Sequence, residues 1–213
     1  MLQYRSAAAD DLHDIGQVFV DGFPDSVQHA GAGAGAGAAR AMADIFGLAM
    51  AAEPGCLIVA EDDGQIAGYM LASGDLGRLR RTAFWQGKWL RVLWRLVTGR
   101  YGVGWRELRT VVRDKRAFAQ GARMCGGHQI RLLSLAVRPD RQGKGIGRGL
   151  IAAGLEYLRA KGARTVRLEV RPDNAPARHL YEAFGFHECG QYSDSQGQWV
   201  VMLKEGWEDG NAR

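Results

Sequence analysis

Cysteine is scarce in this chain of 213 residues, and its three copies, Cys56, Cys125 and Cys189, stand far apart with no CxxC pair. An odd count without zinc-type spacing argues against a disulfide framework and predicts three reduced, mostly buried thiols. The five histidines, His13, His29, His128, His179 and His187, are scattered and match no ligand spacing, so no metal is expected. No uninterrupted apolar run approaches the ~20 residues needed to cross a bilayer. Residues 1–5 lack the apolar stretch of a signal peptide, which leaves a cytoplasmic location as the default expectation.

Acidic side chains are nearly missing from one stretch. Residues 78–116 hold twelve Lys or Arg against only Glu107 and Asp114, whereas the rest of the chain carries a net charge of −5. The overall charge of +5 therefore belongs to one segment. With 46% hydrophobic residues, the chain can build one sizeable core with an appendage.

Patterning divides the rest into alternating elements. Residues 2–6 read as an edge strand. Asp10 and Asp11 are candidate caps for a helix whose apolar positions are Leu12, Ile15, Val18 and Phe19. That helix is expected to stop near Gly22 and Pro24. Alternating Gly and Ala over 31–37 predict a mobile loop, since each Gly costs roughly 1 kcal/mol against Ala in a helix. A helix over 38–52 follows. Residues 56–60 and 65–72 form a hairpin about Glu61-Asp62-Asp63-Gly64. A strand at 131–137, a helix at about 145–161, a strand at 165–170 and a short helix at about 175–184 come next. A last hairpin over 186–192 and 198–204 completes one α/β domain spanning 1–204. Residues 75–128 are an insertion within it, and 205–213 are a polar tail.

The most informative stretch is the strand ending Leu135-Ala136-Val137, followed by Arg138-Pro139-Asp140-Arg141 and then Gln142-Gly143-Lys144-Gly145-Ile146-Gly147-Arg148 at the start of a helix. The first turn of a helix leaves backbone N–H groups unpartnered and carries partial positive charge. Glycines let a bulky anion approach closely, and Arg141, Lys144 and Arg148 add mobile positive charge. A phosphorylated ligand is expected here. A Walker A loop is excluded, because Gly143-Lys144 is followed by Gly145 and no Gly stands at the required upstream position. Gly147-x-Gly149-x-x-Ala152 loosely fits a dinucleotide fingerprint. However, nine residues separate Val137 from Gly147, which puts Gly149 well inside the helix.

A second motif follows: Leu168-Glu169-Val170-Arg171-Pro172-Asp173-Asn174, then Leu180-Tyr181-Glu182-Ala183-Phe184-Gly185-Phe186. Together with the Gln142-x-x-Gly145-x-Gly147 loop, it resembles the GCN5-related N-acetyltransferase superfamily. The likeness is clear over about 130–204 and is nearest to the ribosomal-protein alanine N-acetyltransferase branch. The resemblance implies a mixed, mostly antiparallel central sheet flanked by helices, and acetyl-CoA as co-substrate. Leu135, Ala136 and Val137 would offer backbone groups to the pantetheine arm. Gln142, Gly143, Lys144, Gly145, Ile146, Gly147 and Arg148 would wrap the pyrophosphate, with Asn174 as a further contact and helix cap. The reaction implied is direct acetyl transfer to a primary amine, on a small molecule, a protein N-terminus or a lysine. Tyr181 would protonate the departing thiolate. Glu169, set among Val166, Leu168 and Val170, would act as base, with desolvation expected to tune it; a water chain is the alternative base.

The insertion departs from that pattern. Trp85, Trp89, Trp94 and Trp105 all lie in it, and the spacing predicts an α-helical hairpin over 84–97 and 105–120. Three uses stay open: packing against the domain or a second subunit in a homodimer, docking on an anionic membrane, or gathering an acidic acceptor. No DNA binding is expected. The rival function is a non-catalytic acyl-CoA sensor whose basic insertion contacts nucleic acid or an anionic membrane.

Overall fold

The computed structural model describes residues 1–29, 35–75, 77, 81, 90, 94–95, 98, 124–127 and 130–206. Its strands are β1 (Gln3–Ser6), β2 (Leu57–Asp62), β3 (Gln65–Ser73), β4 (Arg131–Val137), β5 (Thr165–Val170), β6 (His187–Asp194) and β7 (Gly197–Glu205). They form one sheet in the spatial order β1-β2-β3-β4-β5-β7-β6. All neighbours are antiparallel except β4 and β5, which run parallel. The helices are α1 (Leu12–Gly22), α2 (Pro24–His29), α3 (Gly35–Ala52), α4 (Ile146–Ala160) and α5 (Ala175–Ala183). The α/β class is as the order of elements implied, and the mostly antiparallel sheet is as the resemblance implied.

Both faces of the sheet are covered, which is why β2 and β3 read as nearly continuous apolar runs. On one face, Ile15 and Val18 of α1 and Phe46 and Ala49 of α3 pack on Leu57, Val59, Tyr69 and Leu71. On the other, Leu150, Ile151, Leu155 and Leu158 of α4 pack on Ile58, Met70, Val166 and Leu168. Successive strand residues thus serve opposite layers.

The α1–α3 crossing depends on Gly16. A Cβ there would sit 2.3 Å from the backbone oxygen of Ala39, which cannot swing away as a side chain could. Gly16→Val is therefore expected to destabilise the protein by about 2–3 kcal/mol, read as a lowered urea midpoint. Gly35→Ala, whose Cβ meets nothing within 4 Å, is the matched control and leaves the midpoint essentially unchanged.

Several sequence expectations change. Asp11 does not cap α1: its carboxylate accepts from the Ala8 N–H at 2.7 Å, closing a short 3₁₀ turn, and it pairs with Arg5 at 2.6 Å. The stop at Pro24 is a restart, because Pro fits the first turn of α2. The expected loop is shorter than 31–37, since Gly35, Ala36 and Gly37 already belong to α3. Residues 30–34 lie outside the described residues, as does most of the predicted helical hairpin at 84–120.

The thiol expectation is overturned for two of the three cysteines. Cys125 and Cys189 are joined in a disulfide across 64 residues of sequence, while Cys56 is a buried thiol. Two backbone irregularities bring the pair together. Cys125 adopts a left-handed conformation, with φ 55°. Cys189 is the extra residue of a β6 bulge, since Glu188 faces Met202 and Gly190 faces Val201.

Candidate active site

β4 and β5 touch as a ladder only at Arg131 and Arg167, and diverge from there. A bulge helps to bend β4. Leu71 faces Ser134 and Ala72 faces Leu132, so Leu133 has no opposite number on β3. Between the two strands opens a cavity of about 860 Å³. It is lined by β4 and β5, by α5, and by residues of α1, α2 and the β6–β7 turn, where Ser26 Oγ donates to Gln196 Oε1 at 3.4 Å.

Backbone polarity in the cleft follows from the β3–β4 ladder. The Arg138 N–H donates to the Ala67 carbonyl at 2.9 Å, so alternation turns Ala136 toward β3 as well. The peptide groups of Leu135 and Val137 then face the open side. The Gln142 amide confirms this direction for Val137 by donating to its carbonyl from 3.1 Å. Of the three expected pantetheine contacts, Leu135 and Val137 turn their peptide groups away from β3, and Ala136 pairs with it. Its side chain instead lies under α1, where a Cβ on Gly22 would come within 2.9 Å of it.

At the end of β4 the chain makes a 3₁₀ turn over Pro139–Arg141 and enters the glycine loop. Gly143 (φ 76°) and Gly145 (φ 78°) both take left-handed conformations, and a Cβ on either would meet nothing within 4 Å. Glycine is needed at these two positions for the backbone, and the outside is left open. α4 begins immediately, placing the first-turn N–H groups of Ile146, Gly147 and Arg148 at that opening. Not every expected cation is spare. Arg141 pairs with Asp62 at 2.7 Å, and Arg148 stacks over Phe184 at 5.3 Å. Lys144 donates to the Asp140 carbonyl at 3.3 Å.

Glu169 and Tyr181 line the same cavity, from β5 and α5. Tyr181 is only 8% exposed and packs edge-on against Phe186 at 5.9 Å. Burial pushes its phenol up to about 12, so it keeps its proton across the neutral range. Asn174 caps α5 by accepting from the Ala177 N–H at 3.1 Å, as its position before Ala175 suggested.

The surroundings of Glu169 differ from the expectation of an apolar pocket. Its Oε1 accepts from Arg131 Nη1 at 3.1 Å and from Arg167 Nε at 3.0 Å. Both guanidinium side chains are fully buried. The carboxylate is thus the centre of an ion-pair triad on the strand face opposite Leu168 and Val170.

A model of the acetyltransferase (GNAT) family matches residues 34–186, well over half of the chain. The chain belongs to this family. Among curated relatives, it is 36% identical over 96 residues to streptothricin acetyltransferase of Streptomyces lavendulae, covering 42% of this chain and 51% of that one. It is 46% identical over 58 residues to the [ribosomal protein bS18]-alanine N-acetyltransferase of Escherichia coli K12, covering 27% and 39%. The match to mycothiol acetyltransferase of Rhodococcus opacus B4 is 52% over 52 residues, covering 24% of this chain and 17% of the relative's length. The crystal structure of SsHAT has the same fold, with TM-score 0.69 at 24% identity over 97% of this chain and 99% of that one.

Within this GNAT domain, the sequence reading missed Arg131 and Arg167. The available signal was Arg167-x-Glu169 in an otherwise apolar strand, a spacing that puts opposite charges on one face. Further lining residues were also missed. Arg171 stacks on Trp199 at 4.9 Å and donates to the Gln196 and Gln198 carbonyls at 2.7 and 3.2 Å, fixing the β6–β7 turn. Phe19 and Phe23 line the same cavity as that turn. Among the described residues no cluster of three metal-ligating side chains occurs, and no helix is long and apolar enough to cross a membrane.

Proposed function

We propose that this chain is an acetyl-CoA-dependent N-acetyltransferase acting by direct transfer to a primary amine. The observation that carries the reading is the splay of β4 from β5, which opens a cavity lined by Leu135, Glu169 and Tyr181. β4 itself leads on, through Val137, to the open glycine loop at the N-terminus of α4. Loop N–H groups suit a pyrophosphate, and strand-like peptides suit an amide-containing pantetheine arm.

The chain's own groups supply the proton steps. The Tyr181 hydroxyl donates to the thiolate as the C–S bond breaks, while a C–N bond forms to the acceptor amine. An apolar cleft raises the proton affinity of that thiolate too, which keeps a buried phenol a competent donor. Glu169 receives the proton that the ammonium acceptor must lose, directly or through a water. Arg131 and Arg167 hold the carboxylate at the start of the splay. The acceptor sits against α1, α2 and the β6–β7 turn, where Phe19, Phe23 and Trp199 favour an amine borne on an apolar stem.

The test is thiol release from acetyl-CoA across a panel of small amines, peptides with free N-termini and lysine peptides. Turnover on at least one class is expected. Tight coenzyme A binding without turnover on any of them, together with salt-sensitive binding to RNA or anionic vesicles, would establish the sensor instead.

A further inference from the structure

The mechanism makes no use of the Cys125–Cys189 bond, yet its placement is specific. Cys125 lies in the turn Met124–Gly127, at the far end of the basic insertion that leaves β3 after Ser73. Cys189 lies on β6, the edge strand of the sheet. β4, which the insertion rejoins at Arg131, is separated from β6 by β5 and β7. The bond therefore ties the end of the insertion across two intervening strands to the sheet edge, with the two Cα atoms 6.0 Å apart.

Three observations set this bond apart from a buried structural bridge. Cys189 is exposed and Cys125 is half-exposed, so the bond lies at the protein surface and not in the core. Each cysteine occupies a local departure from regular backbone: a left-handed residue and a strand bulge. Asp63 is the only other described non-glycine residue with positive φ. The third thiol is kept out of the exchange. Cys56 is fully buried, and burial together with nearby Glu53 holds its thiol up at about 12, where it is a poor nucleophile.

We propose that Cys125 and Cys189 form a reversible thiol–disulfide exchange site that fastens the turn Met124–Gly127 to β6 when oxidised and unfastens it when reduced. The oxidant class is a low-molecular-weight disulfide, RSSR. The more exposed Cys189 thiolate attacks one of its sulfurs and expels RS⁻, giving a mixed disulfide. The Cys125 thiolate then attacks the Cys189 sulfur and expels the second RS⁻. The protein loses two electrons and two protons, and RSSR becomes two RSH. A small dithiol reverses both steps. The bulge also places the bond beside Glu188, whose carboxylate accepts from Arg178 of α5 at 3.1 Å, so the fastening point adjoins the helix that carries Tyr181.

The experiment uses the full chain equilibrated in glutathione–glutathione disulfide buffers, trapped by alkylation and mapped by mass spectrometry. A Cys125–Cys189 peptide is expected in oxidising buffer and two alkylated thiols in reducing buffer, with Cys56 labelled only after unfolding. Hydrogen exchange at the backbone amides of Met124–Gly127 should accelerate on the order of tenfold on reduction, because the turn is no longer fastened to β6. C125S and C189S should match the reduced protein in both buffers, and C56S should still switch. Near-UV circular dichroism checks that each variant is folded; the reduced wild-type protein serves if one is not. Absence of the cross-link at every buffer ratio, or equal exchange rates in both states, would overturn the proposal.

Discussion

Tyr181→Phe lowers kcat by about 100-fold or more, while the dissociation constant for coenzyme A changes less than about threefold. The substitution removes one oxygen from a side chain that is otherwise apolar and packed against Phe186, so volume and edge-on contact are retained. Only proton donation to the leaving thiolate is lost, and a loss confined to the transition state falls on kcat. Titration adds a second check. Burial raises the phenol to about 12, so its acid form persists from neutral pH to well above pH 10. An alkaline fall in the wild-type rate near pH 8–9 would therefore not be the ionisation of Tyr181. The same fall should remain in the residual rate of the Phe variant. Unchanged kcat in Tyr181→Phe would take this residue out of the mechanism and leave water as the proton source.

The local structure over 135–148 was legible because its physics is local. A strand, positive-φ glycines and a helix N-terminus are consecutive in sequence, so 135–148 could be read as an anion loop with no knowledge of the rest. Asn174 and Tyr181 were legible for the same reason, since a cap and a helix position are set by near neighbours. What escaped depends on contacts distant in sequence. The Arg131–Glu169–Arg167 triad joins residues 38 apart, and it inverted the reading of Glu169 from a desolvated carboxylate to an ion-paired one. The disulfide joins residues 64 apart through a bulge that no strand pattern announces. Ala136 was assigned to the cleft with its neighbours because only the register against β3 tells odd from even along β4. The remaining cavity lining comes from α1, α2 and the β6–β7 turn, which meet only in the folded sheet.

Glu169→Ala destabilises the fold by about 3 kcal/mol, an effect that must be separated from any effect on chemistry. Arg131 and Arg167 are fully buried and share one carboxylate oxygen. Burial already works against the charge on Arg131, pulling its pKa below the ordinary guanidinium value, and the neighbouring Arg167 pushes it the same way. Glu169 is the largest of the groups opposing that pull, ahead of Tyr192, so deleting it removes most of the compensation for two cations in a low-dielectric site. Glu169→Gln keeps an acceptor oxygen for the guanidiniums but cannot take a proton at neutral pH. It should recover a large part of the stability, read from the urea midpoint, while kcat/KM for the best amine stays at least about tenfold down. The pH profile then assigns the role. If Glu169 takes the acceptor proton, the loss in the Gln variant is largest for the more basic acceptor amines and at the lower end of the pH range, where more of the acceptor is ammonium. If the Gln variant keeps the wild-type rate across amines and pH, Glu169 serves the triad alone, and a water chain performs the deprotonation.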